Sequence, residues 1–326
     1  MIVDTHSHII VPEMLTDRVP DRWRPSLSRE DGRPVVSFRG TQLRSVTREF
    51  CDVTVMLDQA AGQGVDHLLL SPWIMLVPVE AAPDEALRVC RVQNEGLARA
   101  AQDPRVSALA ALPLQDAGLA ARELELVMQV PGIKGAEIPS SVAGTYLGDP
   151  AFRPFWAAAE ATGALVFIHP TTQGLGIPAL DQHYLWNSVG NPLETTITAA
   201  HLAAAGVLER HPGLKILLAH GGGALPALRG RLQRAHAIRA EAASGAPGGP
   251  GESLRRLWFD SLTHDADVLA GLVAWAGPDR VVLGSDRPFD MGADDPVADI
   301  RVLPLGADAE LILCGNACRL LGLPDG

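Results

Sequence analysis

The sequence has few cysteines and lacks long apolar runs, and these absences exclude two classes of protein. Its four cysteines, spread over 326 residues, are too few for a disulfide-stabilised scaffold and are typical of a reducing compartment. No window holds the ~20 consecutive apolar residues that a membrane-spanning helix needs, and the N-terminus lacks a basic stretch followed by an apolar signal core. We therefore expect a cytoplasmic protein with no membrane partner.

Positive charge is also scarce. The chain has 27 lysines and arginines against 38 aspartates and glutamates, which gives a formal net charge of −11. Binding to a phosphate backbone needs a concentrated basic face, so we do not expect a nucleic-acid partner. A small anionic substrate is compatible with this charge, because a cleft can hold local arginines or a cation.

The G-x-G-x-x-G fingerprint of a dinucleotide-binding fold is missing after the first strand-like run, which argues against an open doubly wound sheet. Eight strand-like runs alternate with alanine- and leucine-rich helical segments, a pattern typical of an α/β (β/α)8 TIM barrel. With 47% hydrophobic residues, we predict one barrel domain over residues 1–326. The strand-like runs lie near residues 1–5, 66–71, 106–112, 133–138, 164–168, 215–219, 256–260 and 280–284.

A long insertion, residues 9–49, follows the first strand-like run. Within it, the segments 35–38 and 40–43 are expected to pair as a small hairpin. A long loop at the carboxyl end of a barrel strand usually contributes to the site. We therefore predict that this insertion forms part of the active-site mouth.

Two histidines separated by one residue, His6 and His8, end the first strand-like run. Alternate side chains of a strand point to the same face, so these imidazoles would lie ~6–7 Å apart, where they can share a metal ion. Three further runs end at His169, His220 and Asp286. Because the carboxyl ends of parallel barrel strands converge on one mouth, we expect all five side chains to meet there.

Three imidazoles and one carboxylate leave room for a water or substrate atom, as in catalytic metal sites. The nitrogen-rich set of His6, His8, His169 and Asp286 favours one zinc ion, with manganese or cobalt tolerated. His220 need not be a ligand. A histidine beside metal-bound water titrates in the right range to move protons, so we assign it general acid–base catalysis.

Two ionisable residues lie in the fourth strand-like run. Lys134 stands near its start, away from the mouth, so we expect a mononuclear site rather than two metals bridged by a carbamylated lysine. Glu137 is closer to the mouth, and it is either a partner of the ligands or a salt-bridge residue.

Five segments of the chain bear on its family: D-T-H-S-H at 4–8, V-F-I-H-P at 166–170, N-P-L-E-T-T-I at 191–197, L-A-H-G-G-G-A-L-P at 218–226 and L-G-S-D-R-P-F at 283–289. Together they resemble the amidohydrolase superfamily, in particular the branch typified by 2-amino-3-carboxymuconate-6-semialdehyde decarboxylase. The resemblance spans nearly the whole chain and implies metal-dependent, non-oxidative decarboxylation on a (β/α)8 barrel without an organic cofactor. The implied substrate is a carboxylated muconate semialdehyde or a hydroxylated aromatic acid. By motif position, His6, His8, His169 and Asp286 would bind the metal, and His220 would activate water or protonate the substrate carbon.

In that branch, arginines hold the substrate carboxylates, one from the insertion after the first strand and one from the neighbouring subunit of a dimer. Arg44 matches the first position, with Arg48 as a rival because the local alignment needs a one-residue shift. Arg231 matches the second, and Arg239 is a further candidate. The planar guanidinium suits this task because it binds a carboxylate through two hydrogen bonds. The resemblance thus implies a homodimer.

Two positions depart from the family pattern and bear on the choice of substrate. Asn187 stands where an active-site tryptophan is expected, with Trp186 one position early. Arg287 replaces an aromatic residue.

Two alternative functions stay open. A hydrolase of the same superfamily would open a lactone or an amide with the same metal-bound hydroxide, and it would release no carbon dioxide. A non-catalytic barrel would bind a ligand or partner, but such a scaffold has no need for all five strand-end residues.

Overall fold

The computed structural model describes residues 1–30, 33–43, 49–171 and 175–324. Arg44 and its rival Arg48 lie outside these ranges. The strands are β1 (Val3–Ile9), β2 (Ser26–Glu30), β3 (Arg33–Phe38), β4 (Thr41–Leu43), β5 (His67–Pro72), β6 (Val106–Ala111), β7 (Ile133–Pro139), β8 (Ser141–Val142), β9 (Thr145–Tyr146), β10 (Leu165–His169), β11 (Lys215–Leu218), β12 (Trp258–Asp260) and β13 (Val281–Val282). The helices are α1 (Val53–Gly62), α2 (Pro83–Ala100), α3 (Ala117–Val127), α4 (Arg153–Thr162), α5 (Asn191–Ala204), α6 (Val207–Arg210), α7 (Leu225–Ile238), α8 (Ala240–Ala243), α9 (Pro250–Arg255), α10 (Ala266–Ala276), α11 (Pro296–Arg301), α12 (Asp308–Glu310) and α13 (Asn316–Leu321).

Eight of these strands form one parallel sheet in the order β1-β5-β6-β7-β10-β11-β12-β13, with helices between them. The two ends of this sheet meet at a seam. There, three backbone hydrogen bonds of 2.7–2.9 Å join β1 to residues 283–287: Thr5 N to Leu283 O, Asp286 N to His6 O, and His8 N to Arg287 O. The predicted (β/α)8 barrel is therefore confirmed.

An irregularity in β1 sets the direction of both histidines of the first strand. Between Asp4 and Ser7 this strand advances three residues, while its neighbour β5 advances only two, from Leu68 to Leu70. Such an extra residue reverses which alternate side chains face the barrel axis. Val3 packs in the interior below the irregularity, and His6 packs against the interior residue Phe167 above it, with 4.8 Å between ring centroids.

The amino end of the barrel is closed and its carboxyl end is left for chemistry. Buried apolar side chains of the barrel interior, including Leu69 and Phe167, pack against Leu320 and Leu321 of α13. A larger apolar layer fills the space between the strands and the outer helices. The polar strand ends that carry His6, His8 and His169 lie at the opposite, carboxyl end of the barrel.

The predicted hairpin in the insertion is confirmed and belongs to a small three-stranded antiparallel sheet, β2-β3-β4. This sheet packs on the barrel through Phe38, whose ring centroid lies 6.2 Å from that of Trp73. Across the described ranges, no helix has the length and apolar character needed to cross a membrane.

Candidate active site

The structure brings all five predicted strand-end residues to one point at the carboxyl end of the barrel. The Nε2 atoms of His6 and His8 are 3.0 Å apart, and they lie 3.3 and 3.1 Å from Asp286 Oδ1. The ring centroid of His169 lies 4.8 Å from that of His8 and 5.3 Å from that of His220. His220 Nε2 lies 3.6 Å from Asp286 Oδ2.

Each of the three proposed imidazole ligands uses Nδ1 to contact the scaffold. The Nδ1 atoms of His6, His8 and His169 lie 2.7 Å from Asp260 Oδ2, 3.2 Å from the Pro72 carbonyl oxygen and 2.9 Å from the Pro170 carbonyl oxygen. A carbonyl or carboxylate at Nδ1 fixes the ring and leaves the Nε2 lone pair free for a metal. The three Nε2 atoms are thus presented to the centre of the site.

The donor atoms fit a divalent ion. Ligands of a tetrahedral zinc at about 2.0–2.1 Å are separated from one another by about 3.3 Å, and the contacts among His6, His8 and Asp286 span 3.0–3.3 Å. Among the described residues, His169 Nε2 and Asp286 Oδ1 are buried without a hydrogen-bond partner. Buried polar atoms normally have a partner, and an ion would supply it here.

The geometry groups the donors in two overlapping sets. His6, His169, His220 and Asp286 place one donor atom each within 4.8 Å of the others, and so do His8, Glu137 and His169. Every residue of the predicted ligand set is therefore in one of the two groups. The division of roles between ligands and His220 stays a prediction.

The electrostatics of the site also favour a cation. Burial disfavours the charged form of His6, but Asp286 and Asp260 outweigh it and raise the pKa of this imidazole to about 10. Burial and the neighbouring imidazoles lower the pKa of His8 and hold that of His169 well below its usual range. Asp286 is also buried, yet the surrounding imidazoles hold its pKa well below normal, so its carboxylate stays ionised.

Glu137 and Lys134 occupy opposite ends of β7. Glu137 is fully buried, and its Oε1 lies 3.6 Å from His8 Nδ1. Burial raises the pKa of Glu137 well above normal. Lys134 lies at the amino end, near His67, the first residue of β5, whose pKa is lowered by burial and by the charge of this lysine. The lysine therefore stands away from the site, as predicted.

One functional candidate, Asp260, escaped the sequence analysis. This last residue of β12 is fully buried, and its Oδ2 lies 2.7 Å from His6 Nδ1 and accepts the His220 backbone N–H at 2.9 Å. Its Oδ1 accepts the Gly221 backbone N–H at 2.7 Å. These bonds hold a turn in which His220 has a φ of 56°, a left-handed value that few non-glycine residues adopt. Asp260 therefore orients one proposed ligand and positions the proposed acid–base residue.

Two adjoining cavities open above the strand ends and share His220, Asp286, Asn187, Asn191 and Met291. The larger has a volume of about 360 Å³ and the smaller about 70 Å³. Most of the remaining lining of the smaller cavity is aromatic or contains sulfur. It comprises Trp73, Met75, Tyr184, Trp186 and Phe289, together with Thr41 of the insertion and His169.

Neither cavity is lined by lysine or arginine within the described part of the chain. Arg231 lies exposed on α7, and Arg239 lies exposed at its end. Arg287 is buried and contacts Gln63, outside both cavities. The structure thus places no predicted substrate-binding arginine in the chain's own described pocket.

An eight-stranded parallel barrel with imidazoles and carboxylates gathered at its strand ends defines the class of (β/α)8 enzymes with a candidate metal centre. The amidohydrolase family profile matches residues 3–323, and this chain belongs to that family.

Several of the similar proteins are decarboxylases, and the similarity extends over most of their length. The chain is 30% identical to a 2-amino-3-carboxymuconate-6-semialdehyde decarboxylase of Dictyostelium discoideum, over 98% of this chain and 91% of the relative. It is 27% identical to a gamma-resorcylate decarboxylase of Rhizobium radiobacter, over 98% of both chains. The crystal structure of 5-carboxyvanillate decarboxylase from Sphingomonas paucimobilis superimposes with a TM-score of 0.82 and 26% identity, over 99% of both chains. The predicted relationship to the decarboxylase branch is confirmed.

The division of roles at the site predicts different outcomes for two histidine variants. His169→Ala should lose most of its bound metal, because it removes one of the proposed ligands. His220→Ala should keep its metal and lose turnover by more than ~100-fold, the usual scale for acid–base catalysis. Elemental analysis of both purified proteins, with circular dichroism to check folding, makes the comparison. A metal-free His220→Ala protein would show that His220 is a ligand.

The contacts of Asp260 predict that Asp260→Asn weakens metal binding by about 10- to 100-fold. The amide keeps the shape of the carboxylate but replaces one of its two oxygens by an NH2 group. In the wild type both oxygens face hydrogen-bond donors, from His6, His220 and Gly221, and an NH2 group cannot accept from them. Chelator competition measures metal affinity, and Asp116→Asn is the control because Asp116 caps α3 on the surface. Wild-type metal affinity in Asp260→Asn would contradict the positioning role.

Proposed function

We propose that this chain is a metal-dependent, non-oxidative decarboxylase that acts on a hydroxylated aromatic acid. The observation that carries the proposal is the convergence of His6, His8, His169, His220 and Asp286 beneath a cavity with aromatic walls. The decarboxylases named among the relatives support the reaction type. The names of the relatives point to two substrate classes, aromatic acids and carboxylated muconate semialdehydes.

The cavity lining favours an aromatic acid over a muconate with several carboxylates. Trp73, Trp186 and Phe289 offer flat apolar surfaces against which a ring can stack. A second carboxylate would need a cationic partner, and the described lining offers none. A carboxylated muconate semialdehyde remains the second substrate class, and it depends on arginines from outside the described pocket.

We propose that His6, His8, His169 and Asp286 hold one divalent metal, with zinc the first candidate for this donor set and manganese or cobalt tolerated. When bound, such an ion would supply Lewis-acid polarisation of substrate oxygen atoms and would lower the pKa of a coordinated hydroxyl group. Asp260, Pro72 and Pro170 fix the Nδ1 sides of the three imidazoles. No organic cofactor is proposed.

His220 and Asp286 would carry out the proton transfer. The net reaction breaks the bond between the ring carbon and the carboxylate, releases carbon dioxide and adds one proton to the same carbon. His220 lines both cavities, and its Nε2 lies 3.6 Å from Asp286 Oδ2, so we propose that this imidazole donates the proton. The low exposure of both side chains, 16% and 10%, limits competing transfer to water.

A homodimer is also proposed. Arg231 lies on the exposed face of α7, outside its own pocket, where it could complete a neighbouring subunit's site. Arg239 is the second candidate for this role, and Arg44 is proposed to act within its own chain.

Thr41 lines the smaller cavity, which supports a place for the 9–49 insertion in the mouth of one barrel domain spanning residues 1–326. The low cysteine content supports a cytoplasmic location.

The reaction type predicts that carboxyl-labelled ¹³C hydroxybenzoates release ¹³CO2 when incubated with metal-loaded protein. In heavy water, one deuterium should appear at the carbon that lost the carboxylate, because the proton comes from an exchangeable group. Mass spectrometry measures both products, and the His169→Ala protein is the control. Ring opening of lactones without carbon dioxide would instead support the superfamily hydrolase.

A shared site predicts complementation between two inactive proteins. Arg231→Ala and His220→Ala homodimers should each be inactive, and their mixed dimer should contain one pocket with both residues intact. Random exchange of equal amounts should recover up to about a quarter of wild-type activity. Native mass spectrometry verifies the mixed species. Verified mixed dimers without activity would contradict the shared site.

A further inference from the structure

Asn191 is the first residue of α5 and lines both cavities beside His220 and Asp286. The residue is 4% exposed, and its carboxamide oxygen makes no hydrogen bond with any described residue. The neighbouring elements therefore do not explain why a polar side chain is buried at this position.

The contrast with the rest of α5 is sharp. All the other buried polar side chains of this helix have hydrogen-bond partners. Glu194 accepts from Ser140 Oγ and from Thr171, and the three threonines donate to backbone carbonyls. Thr195 donates to the Asn191 carbonyl oxygen, Thr196 to that of Pro192 and Thr198 to that of Ser140.

Capping does not account for Asn191 either, because no side chain caps the amino end of α5. Burying an amide without a partner is unfavourable relative to burying a hydrogen-bonded one. An unpaired polar group on a residue that lines a cavity is therefore expected to have its partner in the ligand.

We infer that Asn191 determines substrate specificity by accepting a hydrogen bond from a ring hydroxyl group of the substrate. This inference rests on the proposed function, because it assumes an aromatic acid in these cavities. An amide oxygen only accepts, so it selects a hydroxyl group, which donates. It does not select fluorine, an ether oxygen or an ionised carboxylate, none of which carries a proton to donate.

The test compares dissociation constants for pairs of benzoates that carry either hydroxyl or fluorine at ring position 2, 3 or 4. Isothermal titration with metal-loaded wild-type protein should show, at one position at least, a preference for hydroxyl of about tenfold, the value of one neutral hydrogen bond with its partner otherwise unpaired. Asn191→Leu should abolish that preference. Asn187→Leu, which changes another asparagine of the same cavities, should retain it.

Two further measurements separate recognition from a structural role. Asn191→Leu should unfold at the wild-type temperature or higher, because it replaces an unpaired polar group by an apolar one. Asn191→Asp keeps the acceptor, so it should keep the ratio of the two affinities even where the added charge weakens both. This second variant also serves if the leucine variant folds poorly.

Three results would overturn the inference: a hydroxyl preference that survives in Asn191→Leu, no preference in the wild type at any position, or loss of metal from Asn191→Leu. The third result would make Asn191 part of the metal centre. Failure of the proposed function would look different. In that case no hydroxybenzoate releases carbon dioxide from the wild type, whatever the binding ratios are.

Discussion

The closure of the barrel between β1 and the segment after β13 is the constraint on which the site depends. Asp4, fully buried at this seam, accepts hydrogen bonds from the backbone N–H groups of His6 and Ser285, each at 3.1 Å. The backbone N–H of Asp286 then bonds to His6 O at 2.8 Å. Residues 280 positions apart in the chain are thereby fixed side by side, and their side chains supply two of the proposed ligands.

The charge arrangement at this seam is unfavourable without a cation. Asp260 and Asp286 are buried carboxylates, and both have a lowered pKa because the imidazoles outweigh their burial. The raised pKa of His6 means that these carboxylates favour a positive charge beside them. A divalent ion provides the same compensation and also uses the lone pairs of His8 and His169. The scaffold thus holds the proposed ligands in place for a metal ion, and binding of the ion would complete the site.

The sequence alone was enough to predict the parallel barrel and the meeting of His6, His8, His169, His220 and Asp286. Periodicity reveals where buried strands end, and the geometry of a parallel barrel brings those ends together. The sequence also predicted the hairpin of the insertion, in which residues 36–38 pair with residues 41–43.

The remaining parts of the site depend on tertiary contacts that periodicity does not encode. Asp260 ends a strand of only three residues, and nothing in its sequence neighbourhood links it to His6. The extra residue in β1 becomes visible only through its register with β5. Asn191 looked like one letter of a family motif, and its missing hydrogen bond emerges only when every neighbour is placed. A Trp-Phe-Asp strand end, read like the other polar strand ends, was the available signal for Asp260.

Anomalous X-ray diffraction from crystals of the metal-loaded protein tests the central claim most directly. We expect one anomalous peak per chain, at about 2.0–2.3 Å from His6 Nε2, His8 Nε2, His169 Nε2 and one Asp286 oxygen, with His220 outside the coordination sphere. A peak coordinated by His220 in place of His8, two peaks bridged by Glu137, or none at this position in crystals shown to contain the metal would contradict the metal centre described above.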